Sequence, residues 1–219
     1  MRPDHETAAV KAIETLIKYR VTTAPVSPLP ILKAMPGVIV LTFAEMARRV
    51  GETRQDVMEL FNQDNRDVVT TATTIGGKLT YIIAYNQQLP TFMMQRALAR
   101  DLGHIVLQHD GTKPEAVREE EARIFARHLL CPRPLVRMLQ ESVHPLTVET
   151  VGNVTGCYDR CLTCMQKTPG AHVPAELNKL VKDQFSEYVQ NFLTCQSILA
   201  NGDITAEADF GTFMDGYEE

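Results

Sequence analysis

The chain has 219 residues, 44% of them hydrophobic and 22% charged, with a formal net charge of −5. That length supports one domain with a sizeable core, and the composition excludes a disordered chain, a collagen-like repeat and a disulfide scaffold. No apolar run approaches the roughly 20 residues of a membrane-spanning helix, and the opening Met1-Arg2-Pro3-Asp4-His5-Glu6 has no apolar export core.

Five cysteines without such a core point to free thiols in a reducing, cytoplasmic compartment. The charge is uneven. Asp203, Glu207, Asp209, Asp215, Glu218 and Glu219 crowd residues 203–219, where Lys and Arg are absent. The rest of the chain is close to neutral, which gives no electrostatic case for nucleic-acid binding.

In chain order, residues 5–19 predict an amphipathic helix, with Ala9, Ile13, Leu16 and Ile17 near one face. Pro25, Pro28, Pro30 and Pro36 then predict a stretch without regular structure. Residues 37–42 (GVIVLT) read as a strand, and residues 43–61 as helix interrupted near Gly51. Residues 68–73 and 78–85 are strand candidates, with Ile75-Gly76-Gly77 between them as a hairpin signal. Helices are expected at about 90–107, 117–130, 135–139, 148–165 and 174–199. A helix-rich chain with one small sheet is an α+β pattern rather than a series of alternating βαβ units.

The chemistry concentrates in two of these helices. In the first, Leu98, Leu102 and Ile105 form a core stripe, while Arg100 and His104 stand one turn apart on a neighbouring face. In the second, Ala122, Phe125, Ala126, Leu129 and Leu130 follow the 3- and 4-residue steps of a core face. Glu119 and Glu121 flank that face, so either can reach a neighbouring helix.

Arg100 to His109 reads R-D-L-G-H-I-V-L-Q-H, and Glu119 to Pro132 reads E-E-E-A-R-I-F-A-R-H-L-L-C-P. These segments resemble the ImmA/IrrE-type metallopeptidase-like family, in which H-E-L-G-H is followed by another His and by E-x-E-A-x-x-F-A-x-x-L-L-x-P. The resemblance covers roughly residues 5–165. It implies a zincin-like α+β fold, mostly helical with a sheet of about three strands. In an H-E-x-x-H site two His hold zinc and the Glu acts as general base on the metal-bound water.

This sequence departs from that pattern at two positions. Arg100 stands at the first His ligand, and Asp101 at the general-base position. His104 matches the second His, and Glu121 is matched to the third ligand. A guanidinium stays protonated and has no lone pair for a metal. Asp is one methylene shorter than Glu, which moves a base about 1.5 Å from its target, and small misplacements are costly in catalysis. The expectation is therefore that Arg100 takes the metal's place electrostatically and pairs with Glu121. No cofactor is expected; the alternative is zinc held by Asp101, His104 and Glu121. His109 and His128 read as structural or surface residues.

Two motifs point elsewhere. Cys157, Cys161 and Cys164 have the C-x3-C-x2-C spacing of iron–sulfur ligands, yet at i, i+4, i+7 of a helix they equally describe small core residues. Zinc held by these with Cys131 or Cys195 is a side reading. Residues 43–57 resemble a helix-turn-helix, but Glu45, Glu52, Asp56 and Glu59 offset Arg48, Arg49 and Arg54. They are read as scaffold.

The expected organisation is a single zincin-like domain at 1–202, with a peptidase-like core at about 5–165 and a helical extension at about 166–202, then an acidic tail at 203–219. The resemblance implies a regulatory role: a protein or peptide partner, such as a transcriptional regulator, bound without normal zinc hydrolysis, with no nucleic acid and no membrane. An active zinc endopeptidase acting on a regulatory protein is the alternative. The strand at about 78–85 is the expected edge for strand addition by an extended peptide.

Overall fold

A computed structural model describes residues 1–62, 67–157 and 171–200. The tail at 203–219, Cys161 and Cys164 lie outside them. Helix α1 (His5–Lys18) starts at Asp4, whose carboxylate accepts the Thr7 N–H at 2.9 Å, a side-chain cap for one of the free donors of the first turn. Its buried face is Ala8, Ala9, Ala12, Ile13 and Leu16.

The proline-rich stretch contains a helix, α2 (Pro28–Ala34), contrary to expectation. Pro28 and Pro30 fall in its first turn, where an amide hydrogen has no intrahelical partner to lose. Strand β1 (Val38–Thr42) leads directly into α3 (Phe43–Val50), where Thr42 and Glu45 form a reciprocal capping box. Gly51, at φ +80°, ends α3 before α4 (Arg54–Asn62).

Strands β2 (Val68–Ile75) and β3 (Lys78–Tyr85) form the hairpin that Gly76-Gly77 announces. Both glycines have positive φ, +57° and +76°, the geometry that matches a two-residue turn to the twist of its strands. The sheet order is β1-β3-β2, with β1 parallel and β2 antiparallel to β3. Strand β3 is therefore central, and the expectation that it forms an edge is corrected: its apolar Ile82-Ile83-Ala84-Tyr85 is sandwiched, and β1 and β2 are the edges.

Helices α5 (Thr91–Val106) and α6 (Glu115–Leu130) follow, then α7 (Arg133–Ser142), α8 (Val148–Thr155) and α9 (Ala175–Ala200). Gly156, at φ +68°, caps α8. Cys157 thus lies beyond the helix rather than inside it, because the glycine's left-handed backbone turns the chain out of the helical path.

The main core joins Leu16, Leu32, Ile83, Leu98, Leu102, Phe125, Leu129, Leu135 and Phe185. Each such side chain, fully buried, supplies about 1.5–3 kcal/mol of transfer free energy. Phe43, Ala47, Val57 and Ala84 form a satellite that seats α3 and α4 on the sheet. Residues 43–57, which look like a helix-turn-helix, thus form two helices that pack on the sheet. The fold is α+β, with a small mixed sheet beside a helical body.

Candidate functional site between helices 5 and 6

Helices α5 and α6 lie close because Gly103 permits it. A Cβ at that position would stand 3.0 Å from Cδ1 of the buried Phe125, tighter than ordinary carbon contacts. This approach brings Glu119 of α6 to two side chains of α5. The Glu119 carboxylate is 3.2 Å from His104 Nε2 and 3.8 Å from an Arg100 terminal nitrogen. Arg100 also lies 3.7 Å, through Nε, from Asp101. That Nε is shielded from solvent without a hydrogen-bond partner, so Arg100 is held here by charge rather than by directed hydrogen bonds.

The expected Arg100–Glu121 pair is not formed. Glu121 is 2% exposed and fully engaged elsewhere. Its carboxylate accepts from Lys113 Nζ at 2.8 and 3.0 Å, from the Asp4 backbone N–H at 2.9 Å, and faces His109 Nε2 at 2.8 Å. Burial alone would raise its pKa. The Lys113, Asp4 and His109 contacts reverse this and hold the carboxyl below its usual value. The two acids sit two residues apart on α6, about 200° around the helix, so they serve different neighbours. Glu119 takes the place beside His104 that the sequence comparison had given to Glu121.

His109 is the residue that sequence reasoning undervalued. After α5, Gln108 adopts a left-handed backbone, φ +52°, and the His109 N–H bonds the His104 carbonyl at 3.0 Å. This helix-ending turn sets the two imidazoles edge to face, with centroids 5.0 Å apart and Nδ1···Nδ1 at 2.9 Å. Its sequence signal was only the spacing of His104 and His109 beyond the apolar Ile105-Val106-Leu107.

The hydrogen positions follow from the ring chemistry. With Glu121 ionised, His109 Nε2 carries the hydrogen that faces it. Where His109 carries only that hydrogen, its Nδ1 accepts from His104 Nδ1. His104 is left with a bare Nε2 lone pair directed at Glu119. Burial lowers the His104 pKa, and nearby His109 and Arg100 add to this, against the pull of Glu119. A lone pair and a carboxylate 3.2 Å apart favour a proton or a cation between them, and the Arg100 guanidinium supplies positive charge beside that point.

Asp101 is 6% exposed, and its carboxylate accepts from Thr70 Oγ1 of β2 at 2.7 Å. Burial pushes its pKa up to about 6, offset in part by Thr70 and Arg100. Its carboxyl ties α5 to the sheet.

Metal ligation is a question of donors. His104 and Glu119 offer two, and the third position holds a guanidinium, so these residues do not fit a zinc site, which uses at least three protein ligands. Asp101, His104 and Glu121 do not converge either, since Asp101 is bonded to Thr70 and Glu121 to Lys113. Among the described residues no group of three His, Cys, Asp or Glu is placed to hold a metal ion. Cys131 is buried in the core and Cys195 is exposed on α9. No helix among the described residues is long and apolar enough to cross a membrane.

No curated protein matches the chain. Residues 54–152, from α4 into α8, match the Peptidase M78 family model, described as the IrrE N-terminal-like domain. That span contains β2, β3 and both helices of the site, and it leaves outside it α1, whose Asp4 reaches Glu121. With this match laid over the R-D-L-G-H helix and its E-E-E-A partner, residues 54–152 form a metallopeptidase-fold segment of the ImmA/IrrE type.

Proposed function

We propose that this protein is a non-hydrolytic, cytoplasmic member of its family that binds an extended segment of a regulatory protein partner, in the way a peptidase binds a substrate it does not cut. The observation that carries this reading is the Arg100–Glu119–His104 cluster. A permanent cation stands where hydrolysis needs a Lewis acid, and the buried Asp101 is bonded to Thr70 rather than free to activate water. The partner site follows from the sheet. Strand β2 is an edge, its Thr70 is bonded to Asp101 of the site helix, and its unpaired backbone groups suit strand addition. A transcriptional regulator is the class of partner that the family resemblance supplies.

The second reading, a zinc endopeptidase, draws on the His104 lone pair and Glu119 facing one point. Metal analysis decides between them. The untagged protein, purified without chelator and then offered zinc, is expected to retain no stoichiometric zinc and to show no chelator-sensitive proteolysis. The double variant Arg100→His with Asp101→Glu is expected to gain tight zinc. Stoichiometric zinc in the wild-type protein that disappears in His104→Ala overturns the proposal.

A further inference from the structure

Far from the Glu119 cluster, the C-terminal end of α6 opens onto a cavity of about 460 Å³. It lies between α6, α7, α1 and the start of α9. His128, Arg133, Arg137, His172 and Asn178 contribute its polar groups, and Ile13 is among its apolar ones. Among the described residues no Asp or Glu lines it. Glu141, further along α7, is paired with Lys182. Glu176, on the first turn of α9, is exposed and outside the lining.

We propose that this cavity is a binding site for a phosphate monoester of a small molecule. Three observations converge. First, Arg133 and Arg137 occupy adjacent turns of α7, and neither makes a hydrogen bond or ion pair with a described residue. Two guanidinium groups lining one cavity repel one another and attract an anion that fits between them. Burial, then the like charges of Arg137 and Arg127, lower the Arg133 pKa, as crowded cations do to one another.

Second, His128 is 6% exposed, makes no hydrogen bond with any described residue, and lines the cavity. A buried polar group normally has a partner. Burial, then Arg133 and Arg127, push its pKa down to about 4, so at neutral pH it is an uncharged imidazole with one N–H to donate. Third, α9, a helix of 26 residues, begins at the cavity, with Ala175 in the lining. Its first-turn amides add donors and positive potential.

The chemistry of this set selects the ligand. Guanidinium forks, an imidazole N–H and helix amides together match the several oxygens of a phosphoryl group better than the single plane of a carboxylate. The volume is that of small-molecule sites, larger than phosphate alone requires, and Ile13, Pro134 and Val173 offer an apolar wall for the organic part.

The test is thermal unfolding and calorimetric titration of the full chain, using inorganic phosphate and adenosine 5′-monophosphate as probes at constant ionic strength, with sodium chloride as control. The expected result is saturable binding with a rise in Tm, and at least tenfold weaker binding in Arg133→Gln and in Arg137→Gln. In phosphate-free buffer both variants are expected to melt no lower than the wild type, because removing one cation relieves the repulsion. This second readout separates a lost site from a damaged fold. Tighter binding of the nucleotide than of inorganic phosphate supports a monoester. Equal affinities, no saturable binding, or binding unchanged in both variants overturns the proposal.

Discussion

The two ends of α6 treat charge in opposite ways. At its N-terminal half, Glu119 lies beside the Arg100 guanidinium, and Glu121 is matched by Lys113, His109 and a backbone amide. At its C-terminal end His128 and the neighbouring Arg133 and Arg137 face a cavity that no carboxylate among the described residues lines. In the first region a side-chain cation stands beside each carboxylate. The second carries an electrostatic deficit that an anion would relieve.

The largest effect is expected from breaking the balanced end. Glu121→Ala leaves Lys113, His109 and the Asp4 amide without their common acceptor, and removing one partner of a buried ionic network costs about 3–5 kcal/mol. Urea unfolding should show this as a lower midpoint. A loss below about 1 kcal/mol would mean that the network does not hold α1 to α6.

A second comparison sets His128 of α6 against Asp101 of α5 by pH. The folded pKa of His128 is depressed to about 4, so as pH falls the unfolded chain takes up the proton first. Its contribution is present above about pH 6.5 and lost between there and pH 4, roughly 3 kcal/mol in all. Asp101 has the opposite sign. Its folded pKa is raised to about 6, so the folded state binds the proton first, and stability is gained as pH falls from about 6 to 4, again by roughly 3 kcal/mol. The two nearly cancel in the wild type. His128→Asn should therefore become more stable on mild acidification and Asp101→Asn less stable, as read by denaturant unfolding at pH 7 and pH 4.5. Parallel curves for both variants would refute the opposing assignments.

The smallest effect sharpens the geometry of the site. Gln108 holds a left-handed backbone that glycine adopts without strain. Gln108→Gly should stabilise the protein by about 0.5–1 kcal/mol while leaving the His104–His109 contact intact, with Tm as the readout. A drop in Tm would show that the Gln108 side chain contributes more than its backbone strain removes.

Much of this was legible in the chain itself. The 3.6-residue pattern of Ala122, Phe125, Ala126 and Leu129 defined α6, and Gly76-Gly77 defined the hairpin, because both signals are local. The strand order was not legible, since the β1–β3 pairing joins Val38 to Tyr81 and leaves no mark in either segment. The choice between Glu119 and Glu121 also escaped local reading: both flank the core stripe, and only the packing of α5, Lys113 and Asp4 separates them. The helix at Pro28 was hidden because proline breaks helices everywhere except where this one begins. The cavity was hidden because His128, Arg133 and His172 meet only when α9 folds back against α7 and α1.

The sheet order also dictates a sequence of events in folding. Strands β2 and β3 meet across two glycines, a closure available within microseconds in a collapsing chain. Strand β1 must wait until α3, α4 and the whole hairpin have been gathered, since its parallel partner lies beyond them, and loop closure has to be met before that contact stabilises anything. The seam between β1 and β3 is thus the last join of the sheet to close, and the first place where hydrogen exchange should report it opening.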